Sequence, residues 1–334
     1  MPSITVSLVA VVVLALAFDF INGFHDTANS IATSVSTRVL SPRQAILMSA
    51  VLNFVGALMS SKVAHTITNG LVDSEMLKGQ YVIIATLIAA IIWDLITWYF
   101  GIPSSSSHAL IGALVGSAIA FSGGISIVKW QGVWDKVVIP LITSPIIGFG
   151  IGFAFMTLLY RLLRNFTPRF INKWFSKLQI LSAAFMAYSH GNNDAQKSMG
   201  IITLALVGAG LNGGHTGVQP WVMIACAISM ALGTSIGGWK IIKTMGVNMI
   251  RLQPIGGFAA ETGAAIVIET MTQFGAPVST THVISTSIMG VGASKRFSAV
   301  KWVLARNIVL AWVITLPITA LMGAFITTII KMFI

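Results

Sequence analysis

The chain has 334 residues, 55% of them hydrophobic and only 9% charged, with a net charge of +11 and a mean hydropathy of +0.87. A soluble domain carries about 25% charged residues, so this composition excludes a soluble protein and indicates an all-α integral membrane chain. The single cysteine, Cys226, excludes an intrachain disulfide and a cysteine-based metal site. The positive charge does not indicate nucleic acid, because the basic residues gather in short loops between apolar runs, the positive-inside pattern.

A span needs about 20 apolar residues. Ten hydropathic segments meet the description: 4–36, 44–62, 80–100, 104–121, 138–160, 178–208, 220–238, 257–275, 277–293 and 302–332. The first has no basic leader and runs on into polar sequence, which does not fit a removable signal. The first and sixth are the longest and hold polar clusters at Gly23 and Gly191. Each reads as a helix broken in mid-membrane, giving about twelve segments if the pieces are counted separately. The chain divides into a repeat over 1–160, a basic connector over 161–177 and a second repeat over 178–334.

Arg161, Arg164, Arg169, Lys173 and Lys177 place the connector on the cytoplasmic side. Arg38, Arg43, Lys240, Lys243, Arg251, Lys295, Arg296 and Lys301 then also fall inside. The loop with Asp73, Glu75 and Lys78 falls outside, as do both termini of this cell-membrane protein. Five segments per half is an odd number, so the two halves have inverted topology, a recurring transporter design. Within the connector, Thr167-Pro168 reads as an N-cap with proline at the first helical position. It opens a short interfacial helix with Phe170, Ile171, Trp174, Phe175 and Leu178 on one face.

Two pairs of motifs repeat. Gly23-Phe-His-Asp-Thr-Ala-Asn-Ser30 matches Gly191-Asn-Asn-Asp-Ala-Gln-Lys-Ser198, so Asp26 meets Asp194 and Asn29 meets Lys197. Pro103-Ser-Ser-Ser-Ser-His108 matches Pro277-Val-Ser-Thr-Thr-His282. Proline is poor in mid-helix and good at a helix start. Pro103 and Pro277 therefore mark fresh helix starts, where hydroxyls and free N–H groups form a ready anion site. A plain capping role for the serines is the simpler alternative.

Six of the nine acids, Asp19, Asp26, Asp94, Asp194, Glu261 and Glu269, lie in or at the ends of segments. A charge at a span centre costs about 2.5–3.5 kcal/mol, so such acids imply a wet or ion-filled interior. Asp26 and Asp194, with carbonyls freed by the helix breaks, suit a hard monovalent cation. Glu261 is a further ligand, whereas Asp19, Asp94 and Glu269 read equally well as locally paired acids. His25, His108, His190 and His282 border the motifs, but no His-x-x-x-His pair indicates zinc. Lys197 balances Asp194 or an anionic substrate.

These motifs, together with Gly257-Phe-Ala-Ala-Glu-Thr262, resemble those of the inorganic phosphate transporter (PiT) family, over nearly the whole chain. The resemblance implies a homodimeric inverted-repeat symporter that moves inorganic phosphate inward with a cation. By matching position, Ser105, Ser106, Ser107, Ser279, Thr280 and Thr281 would cradle phosphate with Asn29, Asp26 and Asp194. Asp26, Asn29, Asn193, Asp194 and Glu261 would hold the cation. His25 departs from the motif, where asparagine is usual. Sodium is the expected coupling ion, with no cofactor and no transition metal. A proton-coupled carrier, a metal–phosphate carrier and a sulfate transporter are the alternatives within transport. An intramembrane hydrolase built on Ser107-His108 lacks the Gly-x-Ser-x-Gly elbow.

Overall fold

The structure, a computed structural model, describes residues 6–72 and 80–333. The acidic loop of Asp73, Glu75 and Lys78 lies outside the described residues. The first half comprises α1 (Val6–Ser36), α2 (Pro42–Ala57), α3 (Lys62–Gly70), α4 (Tyr81–Phe100), α5 (Ser106–Ser122) and α6 (Trp130–Val133). A π-helical turn carries α6 into α7 (Ile139–Leu162). The second half comprises α8 (Pro168–Gly208), α9 (Pro220–Ile236), α10 (Trp239–Lys243), α11 (Pro254–Gln273), α12 (Thr280–Lys295) and α13 (Trp302–Lys331). There is no β-strand among the described residues, only one isolated bridge between Val72 and Val128.

Among the described residues four helices are long and apolar enough to cross a membrane, and up to six spans result if the bent pairs α2–α3 (61°) and α9–α10 (63°) each count as one. The ten segments are thus not ten simple spans. At 17 and 16 residues, α5 and α12 reach only about 25 Å, short of a hydrocarbon core of about 30 Å. Most of α5 and nearly all of α12 are buried. Trp130, Trp134, Trp221, Trp239 and Trp302 are exposed at or near helix starts, as an interfacial belt requires.

The expected mid-membrane breaks at Gly23 and Gly191 do not occur: α1 and α8 run unbroken for 31 and 41 residues. The glycines serve helix crossing instead. A Cβ on Gly23 would stand 2.5 Å from the Met230 carbonyl oxygen of α9, and one on Gly191 would stand 2.3 Å from the Asn53 carbonyl oxygen of α2. The backbones meet there because nothing projects between them. The connector helix is likewise not separate. Thr167 caps Phe170 N–H as expected, but the helix it opens continues as α8.

The breaks fall elsewhere. Gly101 ends α4 in a left-handed conformation and Pro103 precedes α5; α12 starts three residues after Pro277. Packing exchanges between the halves. α2 packs on α8 as α9 packs on α1, and α13 lies along α5 as α7 lies along α12. Two apolar clusters flank a polar middle layer. α1 passes from the first cluster (Leu8 to Phe18) to the second (Ala28 to Ala32), while α8 passes from the second (Phe175, Met186) to the first (Ala195, Met199).

Candidate functional site

The polar layer collects both motif pairs. Ser105 caps α5 by accepting the His108 N–H (3.3 Å), and Ser279 caps α12 by accepting the His282 N–H (3.2 Å). These caps leave the N–H groups of Ser106, Ser107, Thr280 and Thr281 in the first turns, where an α-helix has no internal acceptor for them. The two helix starts face each other. The His108 and His282 rings lie 4.8 Å apart, and Ser107 Oγ donates to the Val278 carbonyl at 3.1 Å. Trp312 stacks on His282 and donates to the Pro103 carbonyl, pinning both segments.

Asp26 and Asp194 stand at this junction in matching surroundings. Ser106 Oγ donates to Asp26 Oδ2 and Thr280 Oγ1 donates to Asp194 Oδ2, both at 3.3 Å. Asn29 ties the halves together, its Nδ2 donating to Thr280 Oγ1 (3.2 Å) and Thr281 Oγ1 (2.9 Å). The counter-groups differ. His25 Nδ1 bonds Asp26 Oδ1 at 2.6 Å and its Nε2 bonds Thr97 Oγ1 at 2.9 Å. Asp194 Oδ1 instead receives Lys197 Nζ at 2.6 Å.

Several oxygens are set for a cation. Asn29 Oδ1 and Asn193 Oδ1 are buried and have no hydrogen-bond partner among the described residues. Asn193 Nδ2 is anchored on Thr272 Oγ1 at 2.7 Å, which fixes the amide. Ligand atoms of Asp26, His190 and Asp194 lie within 4.8 Å of one another. Thr234 donates to the Met230 carbonyl and accepts Asn53 Nδ2, so Asn53 Oδ1 faces His190 Nδ1 and makes it the donor. His190 Nε2 then lies 3.5 Å from Asp194 Oδ2.

Glu261 is not at this centre. Its carboxylate takes hydrogen bonds from Thr33 and Ser182 and from Gln179 Nε2 at 3.4 Å. Thr33 lies seven residues beyond Asp26 on α1, which is about two turns or 10 Å along the axis. The structure therefore brings together Asp26, Asn29, Asp194, Ser106, Thr280 and Thr281, with Ser105, Ser107 and Ser279 holding the helix starts, and sets Glu261 apart in its own pocket of donors. The freed backbone carbonyls expected beside Asp26 and Asp194 are absent, since both residues sit within continuous helix.

Sequence reasoning missed Thr97, Thr33, Ser182 and Gln179, which orient or satisfy the acids from elements remote in the chain. Asp94 is buried near His25, Asp26 and Ser106, and Glu269 accepts from Asn192 Nδ2 at 3.1 Å. The available signal for Thr33 was its helical spacing from Asp26; for the others the sequence carried none.

Comparison with known proteins identifies the family and the fold. The sequence model described as PHO4, phosphate transporter family, matches residues 22–323. A "Probable low-affinity inorganic phosphate transporter" of Bacillus subtilis (strain 168) is 51% identical over 325 residues, 97% of each chain. One of Rhizobium meliloti (strain 1021) with the same description is 49% identical over 318 residues, 95% of this chain and 94% of that one. A solved structure, "The sodium-dependent phosphate transporter", is 24% identical and has a TM-score of 0.88, covering 99% of this chain and 100% of the other. At that identity the likeness is one of fold.

Proposed function

The chain belongs to the phosphate transporter family, and on that premise we propose that it is a secondary active symporter importing inorganic phosphate with sodium. It is a multi-pass membrane phosphate transporter rather than an enzyme. The observation that carries the symport reading is the convergence of two helix N-termini on two buried carboxylates. Phosphate is held at the starts of α5 and α12, where N–H groups and helix dipoles favour an anion. Ser105, Ser106, Ser107, Ser279, Thr280 and Thr281 supply hydroxyls there, Asn29 orients Thr280 and Thr281, and Lys197 adds a donor.

Asp26 and Asp194 give the coupling. An anion beside two carboxylates is repelled until a cation neutralises them, so sodium at Asp26, Asp194, Asn29 and Asn193 and phosphate bind together. Glu261 takes part from its separate pocket. The opposite passage of α1 and α8 through the two apolar clusters and the exchanged packing support two inverted repeats. Rocking of one part against the other around the shared layer gives alternating access. A homodimer with both termini outside belongs to the same reading.

A second reading, a metal–phosphate complex as cargo, is favoured by the grouping of Asp26, His190 and Asp194, because an imidazole nitrogen suits a divalent transition metal better than sodium. Uptake of radiolabelled phosphate into proteoliposomes tests both. Accumulation driven by a sodium gradient alone is the expected result. Accumulation driven only by a proton gradient reassigns the carboxylates as proton carriers. Uptake that stops on chelation of divalent metal selects the second reading. Loss of phosphate flux under all gradients defeats the proposal.

A further inference from the structure

α1 carries more polar residues than the central site uses. Asp19, Asn22, Asp26, Asn29 and Thr33 follow one another at spacings of three and four, so they share one helical face. All five are buried. Asp26 and Asn29 belong to the central layer and Thr33 to Glu261; Asp19 and Asn22 belong to neither.

Asp19 and Asn22 are 0% exposed, as is Ser198 of α8, which stands beside Asp19. Among the described residues neither amide atom of Asn22 has a hydrogen-bond partner, and the Asp19 carboxylate has none besides the adjoining Ser198 hydroxyl. Leaving one buried polar group unpaired costs about 1–3 kcal/mol, and more for a charge. A buried carboxylate and a buried amide one turn apart on α1, with a single hydroxyl beside the carboxylate, point to a ligand that satisfies them together.

The donor set gives its chemistry. The carboxylate, the Asn22 Oδ1 and the Ser198 Oγ are all hard oxygen donors, the set taken by hard cations. One carboxylate balances one positive charge, so a monovalent ion fits, whereas a divalent ion would leave a buried excess charge. The nearby internal cation, Lys197, makes its ion pair with Asp194 and no hydrogen bond to Asp19. No ion pair involves Asp19 among the described residues. Nor is the cluster part of the duplicated frame: at the offset relating Asp26 to Asp194, Asp19 meets Ala187 and Asn22 meets His190. Symmetry of the repeats does not account for it.

We infer that Asp19, Asn22 and Ser198 form a second sodium site, about two helical turns from the central one on the same face of α1. Its role as a second coupling ion rests on the symport reading above; its existence does not. Asn22 lies between the two acids along the stripe and links the sites.

The test is equilibrium binding of radioactive sodium to the purified full chain, read beside phosphate uptake in proteoliposomes. Wild type should bind more than one sodium. Asp19→Asn should lose one bound ion and raise the sodium concentration for half-maximal uptake by about tenfold or more, a change of 1.4 kcal/mol. The KM for phosphate at saturating sodium should hold. Ser198→Ala should shift sodium affinity in the same direction by a smaller factor, and it carries the test if Asp19→Asn elutes as aggregate. Unchanged sodium stoichiometry and affinity in both variants overturns the site, as does a wild type that binds no sodium, whatever phosphate uptake shows. A wild type that loses one sodium on Asp19→Asn but moves no phosphate keeps the site and defeats the symport reading.

Discussion

Asp26 and Asp194 occupy matching places, each receiving a hydroxyl from the helix start of its own half, yet their partners differ in kind. Asp194 holds a lysine ammonium, whereas Asp26 holds an imidazole that is in turn tied to Thr97. The hydroxyl contacts match but the charged partners do not. Asp194 is neutralised by its own helix three residues on. Asp26 is paired with a histidine, whose charge depends on its protonation, and on the symport reading it is the carboxylate with more need of an external cation. On that reading the matched hydroxyls build the shell, and the difference between the two partners decides where the ion goes.

This contrast can be broken most severely at Asp194. Asp194→Asn leaves Lys197 as a buried unpaired cation, and removing one partner of a buried pair costs about 3–5 kcal/mol. Phosphate uptake should be abolished and the thermal unfolding temperature in detergent should fall. Adding Lys197→Met should restore the unfolding temperature without restoring uptake.

Asp26→Asn should cost less stability, because the His25 left behind can be neutral. Uptake should still fall at least about tenfold, the equivalent of 1.4 kcal/mol, with the loss concentrated in cation dependence. Equal unfolding temperatures for the Asp26 and Asp194 variants would remove the proposed asymmetry.

Gly191→Ala sharpens the other side of the comparison, the shared frame. Its new Cβ would fall 2.3 Å from the Asn53 oxygen, forcing α8 away from α2. Overpacking of this kind costs about 1–3 kcal/mol, and Gly23→Ala should match it at the α1–α9 crossing. The unfolding temperatures of the two variants report whether the frame is symmetric.

The smallest effect is expected at the caps. Ser105→Ala and Ser279→Ala each remove one N-cap acceptor, worth about 1 kcal/mol, and should raise the KM for phosphate a few-fold in parallel. A KM unchanged in both would mean that these helix starts do not face the substrate.

Membrane class, the paired motifs and the fresh helix starts were legible in the sequence, because each follows from local chemistry. Composition fixes the solvent, proline sets where α5 and α12 begin, and a serine two residues farther on caps each start. Local rules misread Gly23 and Gly191. A glycine amid polar residues predicts a break when seen alone, and only the passing backbones of α9 and α2 turn it into a contact. The partners of the acids were beyond reach for the same reason. Ser182 and Thr33 reach Glu261 from α8 and α1, 79 and 228 residues away in sequence, and Asn29 meets Thr281 across 252 residues. Such pairs exist because packing brings buried polar groups together where each must be satisfied, and no sequence spacing encodes that meeting.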